Sequence, residues 1–299
     1  MKHITVIHMG AIGDLVQAMP VLRAVRAKWP AAHIMLVGRY ERTALAKMAG
    51  LVDACVDFDV FSHAPPASRE ADLVIDLFSA AMTKASHAGG NACHIEPLPP
   101  AGWTQPASAW LLRQANARLD LPSVPEAPEM PVPQALLDEA RTMLAGRGVG
   151  NPFAVLHAGS GSAKKNWPLD RFQEIARRLR SDAGRKIVWL SGPAEQDRGT
   201  LASLPQDENV LGDLSLERVA AVLALADIYV GNDSGITQLA AAVRRPDGRA
   251  TPTVALFGPT DPRVWGPRGP HGRIVQSDDG VVGNIDIERV WGEVRAMTS

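Results

Sequence analysis

The sequence is poor in cysteine and has no excess of charge of one sign. Its 299 residues include only Cys55 and Cys93, whose spacing matches no metal-ligand or redox motif. This scarcity favours a reduced cytosolic setting over a disulfide-stabilised secreted one. The formal net charge is −1, without a long run of either sign, so the composition excludes a strongly basic nucleic-acid-binding protein.

Long apolar runs are also missing. No stretch approaches the roughly 18 uncharged apolar residues that span a bilayer. The N-terminus, MKHITVIHMGAIGD, has a short apolar run broken by His3 and His8, and it predicts a first strand rather than a signal peptide. We expect a cytoplasmic protein without a transmembrane segment, whose contact with a membrane, where there is one, is peripheral.

Two common nucleotide-binding signatures are absent. No Gly-Lys-Ser/Thr follows the glycine-containing stretch HAGSGSAKKNWP, which disfavours a P-loop kinase or ATPase. No G-x-G-x-x-G opens the first helix, and Val37-Gly38-Arg39 stands where a dinucleotide-binding fold has an acidic residue. These absences argue against a dinucleotide-dependent oxidoreductase.

Short apolar segments alternate with amphipathic ones along the chain. This alternation predicts parallel strands covered by helices on both faces, which is the α/β class. The predicted strands are residues 4–7, 33–37, 73–76, 153–157, 186–190, 228–230 and 253–257. The predicted helices are residues 15–28, 41–49, 134–145, 169–180, 216–225 and 236–243.

A proline-rich segment divides the chain. The segment LPSVPEAPEMPVP has five prolines in thirteen residues, which excludes a helix interior and a central strand. It predicts a linker between two doubly wound Rossmann-like domains, residues 1–133 and 134–299, with a ligand cleft at the carboxyl ends of their strands. The last helix, residues 286–297 with Asp286 as its cap, is a candidate to pack back on the first domain.

Three turns in the second half suit an anionic ligand. In HAGSGSAKKNWP, Ser160, Gly161 and Ser162 offer small side chains and backbone N–H groups to phosphate oxygens, and Lys165 adds a cation. A flexible loop with solvated lysines is the alternative. The other two turns are NDSG, before a helix, and GPTDP, after a strand. All three follow parallel strands, which favours one nucleotide or anion site.

Other residues have two interpretations each. Asp14, in HMGAIGD, is either a helix cap or a catalytic base. His157 either touches a ligand or is a satisfied, half-buried histidine. Trp167 and Trp265 either stack on a base or sugar or pack at turn edges. The Asp57-Phe58-Asp59 triplet resembles a cation-binding pattern, but a solvated strand end is the preferred interpretation.

The order of five motifs resembles glycosyltransferase family nine, the ADP-heptose:lipopolysaccharide heptosyltransferases. They are GAIGD, HAGSGSAKKNWP, SGPAE, NDSG followed by LAAA, and LFGPTDPRVWGP; they span residues 4–267, with no match over about 53–133. The resemblance implies the GT-B fold, with the acceptor bound mainly by the first domain and the ADP-sugar donor by the second. It also implies inverting transfer of a heptose or similar sugar to a lipopolysaccharide core or related glycan. No metal or other cofactor is implied, and the expected location is the cytoplasmic face of the inner membrane.

The resemblance also assigns roles to residues. Asp14 is the implied general base, Lys165 neutralises the leaving nucleoside diphosphate, and Glu195 meets the ribose hydroxyls. The implied donor-binding residues are Gly159, Ser160, Gly161, Ser162, Glu195, Asp233, Ser234, Gly235 and Gln238. The implied acceptor-side residues are His8 and Gly13.

Two positions depart from the family pattern. Gln238 stands where the family usually has histidine, and His8 stands where it commonly has lysine or arginine. Glutamine forms hydrogen bonds but carries no charge. A catalytically degenerate nucleotide-sugar-binding protein with a regulatory or scaffold role is therefore the alternative function. Three arginines of the first half are candidates to bind a phosphorylated acceptor: Arg39, Arg42 and Arg69. The alternative interpretation is that they are solvated at the surface.

Overall fold

The computed structural model describes residues 1–65, 70–78, 91–268 and 271–298. The chain divides into two compact units, Met1–Glu129 and Met130–Ser299. The division falls inside the proline-rich segment, four residues before the Pro133 boundary of the sequence analysis. No helix in the described ranges combines the length and the apolar character needed to cross a membrane.

The first unit is built on a five-stranded parallel sheet with strand order β3-β2-β1-β4-β5. Its strands are β1 (His3–His8), β2 (His33–Gly38), β3 (Ala54–Asp57), β4 (Leu73–Asp76) and β5 (Asn91–His94). Its helices are α1 (Ile12–Lys28), α2 (Tyr40–Met48), α3 (Phe58–His63) and α4 (Ala107–Leu119). The central strands are apolar on both faces, as expected for strands covered by helices.

The strand order of the first unit reverses at β1. Ile7 of β1 pairs with Val37 of β2 on one side and with Asp76 of β4 on the other. The chain therefore leaves β1 and β4 in opposite directions along the sheet. In open parallel sheets this switch point is the usual place for a ligand.

The second unit has a six-stranded parallel sheet with strand order β13-β12-β10-β7-β8-β9. The strands of this sheet are β7 (Phe153–His157), β8 (Lys186–Leu190), β9 (Asn209–Leu211), β10 (Ile228–Asn232), β12 (Thr253–Phe257) and β13 (Gly272–Gln276). A separate parallel pair joins β6 (Met130–Pro131) to β11 (Val243–Arg244). The helices are α5 (Gln134–Gly146), α6 (Leu169–Ala183), α7 (Pro193–Asp197), α8 (Leu216–Leu225), α9 (Gly235–Ala242), α10 (Pro262–Trp265) and α11 (Ile287–Thr298).

The order of this sheet reverses between β7 and β10. Gly231 of β10 pairs with His157, the last residue of β7. The loop that carries Ser160 and the turn that carries Ser234 therefore start side by side at one edge of the sheet. The order β9-β8-β7-β10-β12 of the second sheet corresponds to the order β3-β2-β1-β4-β5 of the first, when the strands of each sheet are counted along the chain.

The apolar face of the last helix packs on the core of the second unit. Its fully buried residues, Val290 and Val294, belong to the core cluster that also contains Phe172, Ile228 and Leu256. The apolar stripe is the one seen in the sequence, but α6 and the second sheet cover it. Asp286 does act at the start of this helix, where its side chain accepts the N–H of Glu288 at 2.9 Å.

Candidate functional site

Asn232 fastens together the two loops at the switch point of the second unit. Its Oδ1 accepts the N–H of Trp167 at 2.9 Å, and its Nδ2 donates to the carbonyl of Ala158 at 2.8 Å. The side chain is fully buried, so both hydrogen bonds are shielded from water. The loop after β7 is therefore pinned at both of its ends to the last residue of β10.

The loop after β7 is shaped by the hydroxyl of Ser160. Its Oγ accepts the N–H of Ser162 at 3.2 Å and lies 2.6 Å from Oδ1 of Asn166 and 2.7 Å from the carbonyl of Ser162. Ser160 is buried, whereas Gly161 is exposed at the tip. Ser160 thus contributes loop geometry, and the exposed backbone for an anion is that of Gly161.

Lys165 is paired rather than solvated. Its Nζ lies 2.7 Å from Oδ2 of Asp233, whose side chain is only 9% exposed. The ion pair joins the loop after β7 to the turn after β10. Two residues predicted separately as ligand-binding residues are therefore in contact with each other.

Glu195 is a buried carboxylate beside this loop. Its Oε2 accepts the N–H of Gly192 at 2.8 Å, which caps α7, and lies 3.6 Å from Nε2 of the buried His157. Burial acts to raise the pKa of Glu195, but the contacts with His157 and Gly192 outweigh it and hold the pKa below its usual range. The carboxylate is therefore ionised near neutral pH.

Gly159 is required by the position of Glu195. A Cβ on Gly159 would lie 1.9 Å from Oε1 of Glu195, far inside contact distance. Oε1 has no hydrogen-bond partner within the described part of the chain. The absence of a side chain at Gly159 thus lets a carboxylate oxygen lie against the loop backbone with its accepting capacity unused.

The turn after β10 begins α9 with a serine cap. Ser234 is the N-cap residue, and its Oγ accepts the N–H of Thr237 at 3.3 Å. The same hydroxyl lies 3.5 Å from Nδ1 of His157. His157 is therefore a buried link between Glu195 and the start of α9, where the first amides of the helix and Gly235 lie.

Gln238 is engaged with the protein itself. Its side-chain amide donates to the carbonyl of Trp265, the last residue of α10. The contact attaches the GPTDP turn to α9. Gln238 therefore supplies a structural hydrogen bond at a position where the sequence analysis considered a ligand contact.

Arg198 was missed by sequence reasoning. Its guanidinium donates to the carbonyls of Ser160 and Gly161 at 2.7 and 3.2 Å. It stands three residues after Glu195, directly after α7. The available signal was a basic residue close to the SGPAE motif, but sequence spacing does not show that it reaches a loop 37 residues away.

In the first unit, Asp14 is in contact with the HMGAIGD turn. Its Oδ2 accepts the N–H of Ala11 at 2.8 Å, so the cap role is present. A Cβ on Gly10 would lie 2.9 Å from Oδ2 of Asp14 and 3.0 Å from Cε1 of His8. Gly10 therefore lets the base candidate and His8 approach the same turn, and Gly13 is the second residue of α1.

His8 is uncharged at neutral pH. It is 5% exposed, and burial lowers its pKa to about 4, although the nearby carboxylate of Asp14 acts in the opposite direction. Arg42 reaches the same turn, where its Nη1 donates to the carbonyl of Gly10 at 2.8 Å. Arg42 is thus a fixed cation of this edge rather than a solvated one.

A second group at this edge was not recognised from the sequence. Asp76, at the end of β4, is 1% exposed and its Oδ1 accepts the N–H of Phe78 at 2.8 Å. Its Oδ2 lies 3.3 Å from Nδ1 of His94, the last residue of β5. The signal available was an aspartate that ends an apolar strand, at the switch point.

Several candidates lie away from these clusters. Trp167 is buried, donates to the carbonyl of Ile285 at 3.0 Å and packs on Phe172, so the packing interpretation is correct. Asp57 caps α3 by accepting the N–H of Asp59 at 3.0 Å. Within the described ranges, no group of three or more His, Cys, Asp or Glu side chains is arranged to hold a metal ion. Arg69 lies outside the described residues.

Solved structures define the class of fold. The chain superimposes on an Escherichia coli ADP-heptose lipopolysaccharide heptosyltransferase II with a TM-score of 0.79, at 20% identity, covering 100% of this chain and 98% of that one. A family 9 glycosyltransferase from Veillonella parvula gives a TM-score of 0.80 at 18% identity, covering 99% and 97%. An E. coli heptosyltransferase solved with ADP gives 0.73 at 22% identity, covering 99% of each chain. The two Rossmann-like units therefore form a GT-B fold, as predicted.

Sequence comparison gives the family. Residues 107–289 match the model of glycosyltransferase family 9 (heptosyltransferase), so the chain belongs to that family. Lipopolysaccharide heptosyltransferase 1 of Pseudomonas aeruginosa is 34% identical over 147 residues, which cover 48% of this chain and 40% of that protein. The corresponding protein of Salmonella typhimurium is 32% identical over 147 residues, covering 49% and 44%. The chain thus matches less than half of the length of these curated relatives.

Proposed function

We propose that the protein is an inverting, metal-independent glycosyltransferase that moves a heptose or similar sugar from an ADP-sugar to an acceptor hydroxyl of a lipopolysaccharide core or related glycan. The observation that carries the proposal is that three loops meet at the switch point of the second unit. They are the loop after β7, the loop after β8 and the turn after β10. They bring together an exposed loop backbone, a lysine and a buried ionised carboxylate. One E. coli heptosyltransferase, solved once with ADP and once with ADP-2-deoxy-2-fluoro heptose, supports the choice of donor.

The second unit supplies complementary contacts for a nucleoside diphosphate. The backbone of Gly161 and the first amides of α9 are donors for phosphate oxygens. Lys165 provides a cation whose partner changes from Asp233 to a phosphate when the donor binds. Oε1 of Glu195, without a partner of its own among described residues, accepts hydrogen bonds from vicinal ribose hydroxyls.

The chemistry requires two opposite charges. Inverting transfer passes through an oxocarbenium-like transition state, in which the acceptor oxygen attacks as the diphosphate departs. In the proposed reaction Asp14 takes the proton from the acceptor hydroxyl, and Lys165 stabilises the negative charge that develops on the leaving group. We place the protein at the cytoplasmic face of the inner membrane, in peripheral contact, because its proposed acceptor is lipid-linked.

A ligand panel tests the donor assignment. A nucleotide that binds only the folded protein, present at 100 times its dissociation constant, adds about 2.7 kcal/mol to the free energy of unfolding. We expect ADP and ADP-sugars to raise the melting temperature, and CDP or GDP to have much less effect. The absence of any shift with ADP-containing compounds contradicts the proposal.

Substitution of Asp14 tests the catalytic role. We expect Asp14→Asn to reduce the rate of sugar transfer by at least about 100-fold, because an amide cannot accept the proton, while ADP affinity stays unchanged. The rate is measured as release of ADP that depends on acceptor. Asp57→Asn is the matched control, since Asp57 also caps a helix in the first unit. Transfer by Asp14→Asn at the unchanged rate removes Asp14 from the role of base.

Gln238 supports a second candidate function. Its side-chain amide donates to the carbonyl of Trp265, and an amide has no charge with which to bind the phosphates. A nucleotide-sugar-binding protein without transferase activity is the corresponding alternative. Tight binding of the ADP-sugar without transfer to any lipopolysaccharide-core acceptor, and without donor hydrolysis, distinguishes it from the enzyme.

A further inference from the structure

Arg198 holds two successive carbonyl groups at the tip of the loop after β7. Its Nη1 lies 2.7 Å from the oxygen of Ser160, and its Nη2 lies 3.2 Å from the oxygen of Gly161. No carboxylate of the described residues lies within 4.0 Å of its guanidinium. Two N–H groups of one guanidinium thus bond to two peptide groups, an arrangement called the fork below. No acidic side chain within that distance in the described ranges compensates the positive charge of the guanidinium.

Because the peptide bond is planar, this fork also fixes the direction of the N–H groups in the two peptide units. In a trans peptide group the C=O and the N–H point in opposite directions. When Arg198 holds the oxygens of Ser160 and Gly161, the N–H groups of Gly161 and Ser162 are turned away from it. The N–H of Ser162 reaches Ser160 Oγ, while that of Gly161 has no partner in the described part of the chain. One backbone donor at the exposed tip is therefore fixed in direction and unused.

Arg198 also adds to the positive charge of the loop. Lys165 is neutralised by Asp233 at 2.7 Å, and the low pKa of Glu195 keeps that residue anionic. The charge of Arg198 offsets that of Glu195, and the exposed Lys164 adds a further positive charge to the same loop. The peptide dipoles of the tip present their positive ends away from the guanidinium.

We infer that Arg198 is a positioning residue of the donor site, which holds the loop tip so that the N–H of Gly161 is presented to the donor diphosphate. This inference rests on the proposed function. Arg198 acts through the loop and through its charge, not by bonding to the sugar or the base. Its contribution therefore grows with the number of phosphates in the ligand and is absent for a ligand without phosphate.

The test is calorimetric titration of the 299-residue chain with adenosine, AMP and ADP at two salt concentrations. The variants are Arg198→Gln, which removes the fork and the charge, and Arg198→Lys, which keeps the charge but cannot bridge two carbonyls. Arg141→Gln on α5 is the matched control, because Arg141 is an exposed arginine that pairs with Asp138 on its own helix.

We expect Arg198→Gln to weaken ADP binding by between about 10-fold and 100-fold, the range of a charge-assisted hydrogen bond, with a smaller loss for AMP and none for adenosine. Arg198→Lys recovers part of the loss at low salt only, and Arg141→Gln binds normally. An equal loss for all three ligands assigns Arg198 a purely structural role and overturns the inference, as does unchanged ADP binding by Arg198→Gln. If the unchanged protein binds no ADP, the proposed function fails, and the inference fails with it.

Discussion

At the scale of single residues, Gly159 and Gly161 stand two positions apart in one loop and have opposite requirements. A Cβ on Gly159 collides with Glu195, whereas a Cβ on Gly161 meets nothing within 4 Å. We expect Gly159→Ala to displace Glu195, to cost about 1–3 kcal/mol of stability and to weaken ADP binding at least about 10-fold. Thermal unfolding and calorimetry measure the two effects.

Gly161→Ala is the matched control for this substitution. It changes the same residue type in the same loop, and we expect less than about 1 kcal/mol of destabilisation and ADP affinity within a few-fold of normal. Equal effects of the two alanines would show that Glu195 does not need the space above Gly159.

His8 gives the protein a pH-dependent stability. Its pKa is about 4 in the fold and near 6.5 in the unfolded chain, so between these values the unfolded state binds more protons. Stability is therefore fully present above about pH 7 and falls as the pH drops, by about 2 kcal/mol at pH 5 for this residue alone.

Chemical denaturation at pH 7.5 and pH 5 tests this. We expect the free energy of unfolding of the unchanged protein to fall by about 2 kcal/mol more than that of His8→Asn over this interval, because asparagine at position 8 does not titrate. His63→Asn controls for loss of an exposed histidine in the same unit. A pH dependence that is the same in all three proteins contradicts the low pKa of His8.

Residue roles were predictable from the sequence where they depend on local geometry. Asp286 was recognised as a cap because a cap requires only its neighbours in the chain. The burial of Glu195 against Gly159 and the fork of Arg198 depend on strands that are distant in sequence. Local patterns carry no information on such contacts, and for this reason Arg198 and the Asp76–His94 pair were missed.

At the scale of elements, four strands of continuous apolar character were predicted with their exact bounds. The strands β4, β7, β8 and β12 have the predicted bounds, because their apolar residues are continuous. The strands β5, β9 and β13 were not predicted. They lie at or near sheet edges and carry exposed or half-buried residues, so their apolar pattern is interrupted.

The last helix is a test of where an apolar stripe packs. Val294 is fully buried in the second core, so we expect Val294→Ala to cost about 2 kcal/mol by removing two methyl groups from a packed environment. Glu293→Ala, on the adjacent half-exposed position, should cost less than about 1 kcal/mol. Denaturation that is unaffected by Val294→Ala would show that α11 is not part of this core.

At the scale of the whole molecule, two sheets with the same local strand order each have a switch point of their own. The charged and polar groups of the first sheet edge are Asp14, Arg42, Asp76 and His94, and those of the second are Lys165, Glu195, Arg198 and Asp233. The α/β class followed from periodicity, because alternation of strands and helices is a global property of the chain, whereas the GT-B fold was implied by the resemblance. Several groups of the two edges were named from the sequence, but their contacts were not predicted, because the edges are assembled from separate segments.

Hydrogen exchange tests the separate roles of the two units. We expect ADP to slow amide exchange about 10-fold or more in residues 158–166, 192–198 and 232–238, where the three loops of the second unit lie. Adenosine without phosphates should protect residues 158–166 much less. Protection by ADP that is concentrated in residues 1–65 would place the nucleotide in the first unit and contradict the proposed donor site.

The ion pair between Lys165 and Asp233 has a consequence for turnover. In the proposed reaction the product ADP must leave before a new donor enters, and each departure frees Lys165 to return to Asp233 at 2.7 Å. The aspartate is thus an intramolecular competitor of the product, present at a high effective concentration. For the proposed reaction we therefore expect this competition to lower the affinity for both donor and ADP, and to shorten the lifetime of the enzyme–ADP complex.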